Sequence, residues 1–242
     1  MSKNRFLIVL LFFVAILTVT GCNAFVTRGS GDLVTEQRQV SNFDRVELSG
    51  MGEVVITQDG SESLSIETDD NIMKYVEAVV EGGTLKLGFK DRVNFISPSR
   101  LVFYVSVDDL NGVAVSGSGD IESDMLKTDH LDVAVSGSGD VQVAELSTGE
   151  VNADISGSGE VYLSGDATTQ DLTISGSGKY QAGDLCSGSV TVSISGSGKA
   201  TVCAIETLES DISGSGSVNY YGQPSINSSG SGSGALNSLG EK

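Results

Sequence analysis

Branched apolar residues return at fixed positions through the second half of the chain. The tetrapeptide Ser-Gly-Ser-Gly begins at Ser116, Ser136, Ser156, Ser175, Ser195, Ser213 and Ser229, in steps of 20, 20, 19, 20, 18 and 16 residues. One residue before these serines stand Val115, Val135, Ile155, Ile174, Ile194, Ile212 and Ser228. Three residues before stand Val113, Val133, Ala153, Leu172, Val192, Ser210 and Ile226. The positions between are mostly small or polar: Ala114, Ala134, Asp154, Thr173, Ser193, Asp211 and Asn227. Beyond the tetrapeptide the alternation resumes, with Ile121, Val141, Val161, Tyr180, Ala200 and Val218, then Ser123, Val143, Leu163, Ala182, Val202 and Tyr220. A period of two with one apolar side predicts half-buried strands. Each unit is therefore a strand, a Ser-Gly-Ser-Gly corner and a second strand, with a short third segment marked by Leu126, Leu146, Leu185 and Leu208.

A repeat of about 20 residues predicts an all-β fold, a parallel β-helix or β-solenoid in which each unit is one coil. Coils stack at roughly 4.8 Å, and only stacking makes the apolar side of each coil part of a continuous core. Glycine suits a corner that needs positive φ, and stacked serines can hydrogen-bond along it. An antiparallel barrel of hairpins would also take glycine-containing turns. It gives no reason, however, for columns that match position by position. The short step to Ser229 predicts a capping coil, and residues 235–242 read as a tail.

Residues 35–112 are less regular but strand-rich. Phe43 to Thr57 repeats the strand-corner-strand pattern with Ser-Gly-Met-Gly as a degenerate corner. Ser63–Glu67, Thr84–Phe89 and Leu101–Val107 alternate, and residues 71–76 read as a helical turn. This portion is expected to run into the regular coils of residues 113–234.

The N-terminus is organised differently. Lys3 and Arg5 precede an uncharged apolar run from Phe6 to Leu17, followed by Val19-Thr-Gly-Cys22. This order of charge, short apolar core and small residues predicts a removable export signal over residues 1–21. The run is short of the roughly 20 residues that span a bilayer, although an uncleaved anchor is the alternative. Val19-Thr-Gly-Cys22 resembles the bacterial lipobox, which implies cleavage before Cys22 and lipidation of its thiol. Multiple acyl chains hold a membrane where a single chain does not. Residues 22–34 then form a linker. Asn23 is not the aspartate that retains lipoproteins at the inner membrane, so the outer membrane is expected if the host has two.

Charge narrows the partners. The chain has 14 basic and 32 acidic residues and a formal charge of −18; loss of Lys3 and Arg5 with the leader makes it more negative still. An acidic surface opposes nucleic acid and anionic head groups.

The ordered set of features carries a family likeness. Gln37 to Gly50, Gly82-Gly-Thr-Leu-Lys-Leu87, the serial Ser-Gly-Ser-Gly corners and Val218-Asn-Tyr-Tyr-Gly-Gln-Pro224 resemble the family described as "putative auto-transporter adhesin, head GIN domain". The resemblance covers roughly residues 35–236. It implies a β-solenoid-like envelope protein, often a lipoprotein, and supplies no catalytic motif.

Few residues offer chemistry. In a parallel stack Asp120, Asp140, Glu160, Lys179, Lys199 and Ser217 form one column after the corner. The first three suggest a Ca²⁺ site, which takes six to eight oxygens; the plainer reading is a solvated ladder relieved by Glu160 and Lys179. The corners lack the Gly-Gly-x-Gly-x-Asp repeats of Ca²⁺-binding β-rolls, and no cofactor is expected. His130, the single histidine, has no spacing that signals catalytic or metal-binding partners. Gly117-Ser-Gly119 is no nucleophile elbow, since it joins strand to strand. Cys186 and Cys203 lie nearly one coil apart, in reach of a disulfide. An offset of one residue could instead turn them to opposite faces as two packed thiols.

The expected function is a non-catalytic binding, adhesive or structural module, lipid-anchored in the cell envelope. Its partners would be the membrane, a surface protein or glycan, or another copy of the chain. The alternatives are a polysaccharide-processing enzyme on a β-helix and an envelope-stress regulatory lipoprotein. Converging carboxylates and bases in a groove would favour the enzyme.

Overall fold

The computed structural model describes residues 26–90 and 96–242. The expected leader, Cys22 and the first linker residues lie outside the described residues. Among those described, no helix is long and apolar enough to cross a membrane.

The period-two segments are strands, and the columns about 20 residues apart are rungs of a parallel β-solenoid. Gly112–Gly117, His130–Gly137 and the halves preceding each corner in Val141–Gly157, Glu160–Gly176, Lys179–Gly196 and Lys199–Gly214 stack in parallel. Val115, Val135, Ile155, Ile174 and Ile194 are successive register partners, and none is more than 2% exposed. Asp120–Lys127 and the segments after later corners build a second face in the same way. The inward columns of both faces merge into one hydrophobic cluster reaching from Phe43 to Val218.

Both glycines of a corner are required, for different reasons. The first has positive φ, 128° at Gly137 and 131° at Gly157. A Cβ on Gly137 would lie 2.3 Å from the Gly117 carbonyl oxygen of the coil before. A Cβ on Gly139, the second glycine, would lie 2.1 Å from the Gly119 oxygen and 2.6 Å from Val115 Cγ1. The corner is thus set by inter-coil contact as much as by backbone freedom.

Differences in coil length never reach the corner. Register shifts fall between Val143 and Leu146, Tyr162 and Ser164, Ala182 and Cys186, Ser187 and Ser189, and Tyr220 and Tyr221. All lie beyond the second face, where bulges absorb the extra residues.

The N-terminal portion is continuous with the solenoid. Arg45–Gly50 and Glu53–Gln58 form its first rung, and Ser49 and Gly50 pair with Ser116 and Gly117. Below this rung the sheet becomes mixed. Thr84–Phe89 stacks in parallel on Arg45–Gly50 and forms an antiparallel pair with Val76–Glu81. Leu101–Val107 stacks on Glu53–Gln58, followed antiparallel by Ser63–Asp69 and Leu33–Arg38. Met73–Tyr75 is a single 3₁₀ turn. Within the expected linker, Thr27–Arg28 pairs with Ile96–Ser97, and Leu33–Arg38 begins before residue 35.

Three details differ from the sequence reading. Ser213 pairs with Ser231, not Ser229, so the last step is the same length as the one before it. The run Ser229–Gly234 offers two frames two residues apart, and the structure takes the one that keeps Ile226 over Leu208. Residues 235–242 are not simply a tail: Ala235–Gly240 is a strand paired with Ser217–Tyr221. Leu208 stacks on Val190, in the column of Leu131 and Val151, rather than with Leu126, Leu146 and Leu185.

Candidate functional site

The column after the corner was the leading candidate for metal chemistry. Its carboxylates are engaged by the backbone instead. Asp120 Oδ1 accepts the Asp140 amide at 3.0 Å, and Asp140 Oδ1 accepts the Glu160 amide at 2.7 Å. Lys179 Nζ then donates to Glu160 at 3.1 Å. Each acid thereby ties its coil to the next, which disperses the negative charge that a Ca²⁺ site would concentrate. Among the described residues no group of three or more His, Cys, Asp or Glu is placed to hold a metal ion. Asp120, Asp140 and Glu160 thus form the inter-coil ladder that the plainer reading of the sequence describes, with Lys179 at its end.

His130 belongs to a charged cluster on the outer face before the corner. Its Nε2 lies 2.6 Å from Asp132 Oδ1, and its Nδ1 lies 3.6 Å from Glu150. Arg45 Nη2 donates to the other Asp132 oxygen at 2.7 Å, reaching across Gly112 on the intervening rung. A side chain at Gly112 would meet Arg45 Cγ at 3.3 Å. Burial pushes the Asp132 carboxyl up, but hydrogen bonds from Arg45 and His130 outweigh it and hold the group below the ordinary carboxylate value.

Cys186 and Cys203 are register partners on neighbouring coils, with Cα atoms 4.5 Å apart and their sulfurs bonded. The bulge between Ala182 and Cys186 absorbs the offset that the sequence count contains.

Two polar arrangements had no signature in the sequence. Asp69 is fully buried, where its carboxylate accepts the Gly31 amide at 2.7 Å and the Ser99 amide and hydroxyl at 2.7 and 2.6 Å. The Ser99 hydroxyl is the chief reason that its pKa is lowered despite burial. These partners are 30 and 38 residues away, beyond the reach of any local pattern. Gln170 occupies an apolar column between Val151 and Val190. Its amide donates to Leu185 O at 2.9 Å and Ser187 Oγ at 2.8 Å, and its oxygen accepts the Tyr180 hydroxyl at 2.8 Å. Burial pushes the Tyr180 phenol well above its ordinary value, so it remains a donor.

The fold defines a parallel β-solenoid, with polar ladders that bind coil to coil at Asp120, Asp140, Glu160 and Asp132. Residues 42–224 match the family described as "Putative auto-transporter adhesin, head GIN domain", and the chain belongs to that family. Among solved structures, one from Bacteroides fragilis described as a "putative adhesin" is 28% identical, with a TM-score of 0.82 over 88% of this chain and 100% of its own. A "putative lipid binding protein" from Parabacteroides distasonis is 23% identical, with a TM-score of 0.76 over 88% of this chain and 99% of its own. A "putative adhesin" from Parabacteroides merdae is 21% identical, with a TM-score of 0.69 over 88% of this chain and 98% of its own. At those last two identities the likeness concerns the fold alone. No curated protein matches the chain.

Proposed function

We propose that the chain is a non-catalytic binding module, exported, lipid-anchored through Cys22 and presented from the cell envelope, on the outer membrane where the host has two. The observation that carries the non-catalytic reading is the fate of the candidate acids. Asp120 and Asp140 each turn an oxygen to a backbone amide of the next coil, and Asp132 and His130 are tied to each other and to Arg45 on an exposed outer face rather than lining an enclosed groove. The order of charge, apolar run and Val19-Thr-Gly-Cys22 supports the anchor. Membership of an adhesin-named family supports recognition of a surface partner, protein or glycan. The outer faces suit such a role, being repetitive and held by a core that one coil shares with the next.

Labelling with a radioactive fatty acid, in cells expressing the chain or its Cys22→Ser variant, tests the anchor. The reading expects a labelled parent in membranes and an unlabelled variant that keeps its apolar leader. An unlabelled parent, or equal label on both, contradicts it. Purified protein that cleaves envelope glycans contradicts the non-catalytic part.

A further inference from the structure

The two ends of the solenoid are finished differently. At the N-terminal end the outermost strands are Leu33–Arg38 and Val76–Glu81, each antiparallel to its neighbour. They carry Glu36 and Arg38, and Glu77 and Glu81, the kind of charge that discourages another strand from adding to an edge. The C-terminal rung has no such guard. Ser225–Gly232 pairs with Lys199–Gly214 and Ala235–Gly240 with Ser217–Tyr221, and among the described residues neither has a strand on its other side. Every residue of Ser225–Gly232 is exposed.

Charge sets this end apart further. The chain carries −18, yet no Asp, Glu, Lys or Arg occurs between Asp211 and Glu241. Glu241 and Lys242 are directed to Gln223 and Asp184. The rung also leaves apolar surface open, with Ile226 44% and Leu239 46% exposed; the opposite edge does the same at Leu33, Val34 and Val79, so the ends differ in charge and not in apolar exposure. Two copies of so acidic a chain repel over most of their surfaces. They can approach closely where both are neutral, apolar in part, and offer unpaired backbone amides and carbonyls.

We infer that the C-terminal rung is a docking edge for the same rung of a second copy. The pairing is tail to tail about a two-fold axis perpendicular to the stack. That axis reverses the sense of the coil, so the facing strands run antiparallel and each copy uses the same surface. The small side chains of Ser225, Asn227, Ser228 and Ser229 let backbones meet without steric conflict. Resting on the anchored reading above, the docking edges of chains held by Cys22 in opposing envelopes could join those envelopes. The pairing itself does not depend on the anchor.

Sedimentation velocity of the chain without residues 1–22 over a range of concentrations tests this, with Ser225→Lys and Ala235→Lys, whose register partners Thr207 and Ser217 are uncharged, at the docking edge and Val79→Lys at the opposite end. The expected result is a reversible dimer that Val79→Lys leaves unchanged. Either edge lysine should raise its dissociation constant by about tenfold or more, because the axis brings like charges together. Circular dichroism of each variant establishes that it is folded. A chain that stays monomeric throughout overturns the inference. So do dimers that survive both edge lysines, or open-ended oligomers that grow with concentration. A monomer whose full-length parent still takes up the fatty-acid label rejects the pairing and leaves the anchor standing.

Discussion

Gly157→Ala isolates the contact on which the corner depends. Gly157 sits at φ 131°, where a side chain is strained, and a Cβ there would lie 2.3 Å from the Gly137 carbonyl oxygen. Backbone strain of this kind costs about 1–3 kcal/mol. The contact adds overpacking worth about 1–3 kcal/mol, since neither coil can recede without breaking the ladder. The expected loss is about 2–6 kcal/mol, read as a fall in the urea midpoint by circular dichroism. Ser158→Ala is the matched control. Its side chain is exposed, so its effect should stay within about 0.5 kcal/mol. A Gly157→Ala protein as stable as the Ser158→Ala protein would refute the reasoning, because the corner could then open without disturbing the stack.

Other perturbations address separate parts of the structure. Ser210 Oγ is buried without a hydrogen-bond partner, between Val192 and Ser228 in a column that continues as Leu172, Ala153, Val133 and Val113, so Ser210→Val should raise stability by about 1–2 kcal/mol, read as a higher urea midpoint. Tyr180→Phe removes the donor to Gln170 Oε1 and should cost about 1–3 kcal/mol in the same assay. Reducing the Cys186–Cys203 bond, which closes a separation of 17 residues, should cost about 3 kcal/mol on the chain-entropy account, measured by denaturation with and without a phosphine reductant. The folded state holds Asp69 below the ordinary carboxylate value, so the unfolded chain takes up that proton first. Its stabilisation is complete above about pH 5 and lost as pH falls below about 4. The stability difference between the parent and Asp69→Asn, followed by urea titration at successive pH values, should therefore shrink with acid.

The rungs were legible in the sequence because each repeat states the same physical requirement. Val135, Ile155 and Ile174 must face inward, and glycine must follow the first serine of each corner. Where the repeat was ambiguous, the reading slipped. Ser229–Gly234 contains two overlapping frames, and only pairing with Lys199–Gly214 chooses between them. Leu208 misled because it was grouped by residue type: it lies 13 residues past Ser195 where Leu126, Leu146 and Leu185 lie 10 past their corner serines, and five residues before Ser213 it shares the position of Leu131 and Val151. The Asp69 clamp and the buried Gln170 network were hidden because their partners come from distant segments. A carboxylate at a strand end and an amide in an apolar column look, in one dimension, like surface residues. The acid column was visible, but not that Asp120 and Asp140 would turn to the amides of the next coil. That orientation depends on rotamer and coil spacing, which the order of residues does not state.

Paired cysteines test the stacking most directly. Ser136 and Ser156 are register partners on adjacent coils, and Ser156 is in turn the partner of Ser175. Adjacent rungs place Cα atoms about 5 Å apart, within disulfide reach, and alternate rungs about 10 Å apart, beyond it. Peptide mapping of the oxidised double variants should find a bond in Ser136→Cys/Ser156→Cys and none in Ser136→Cys/Ser175→Cys. No bond in the first pair, or equal bonding in both, would contradict the in-register solenoid.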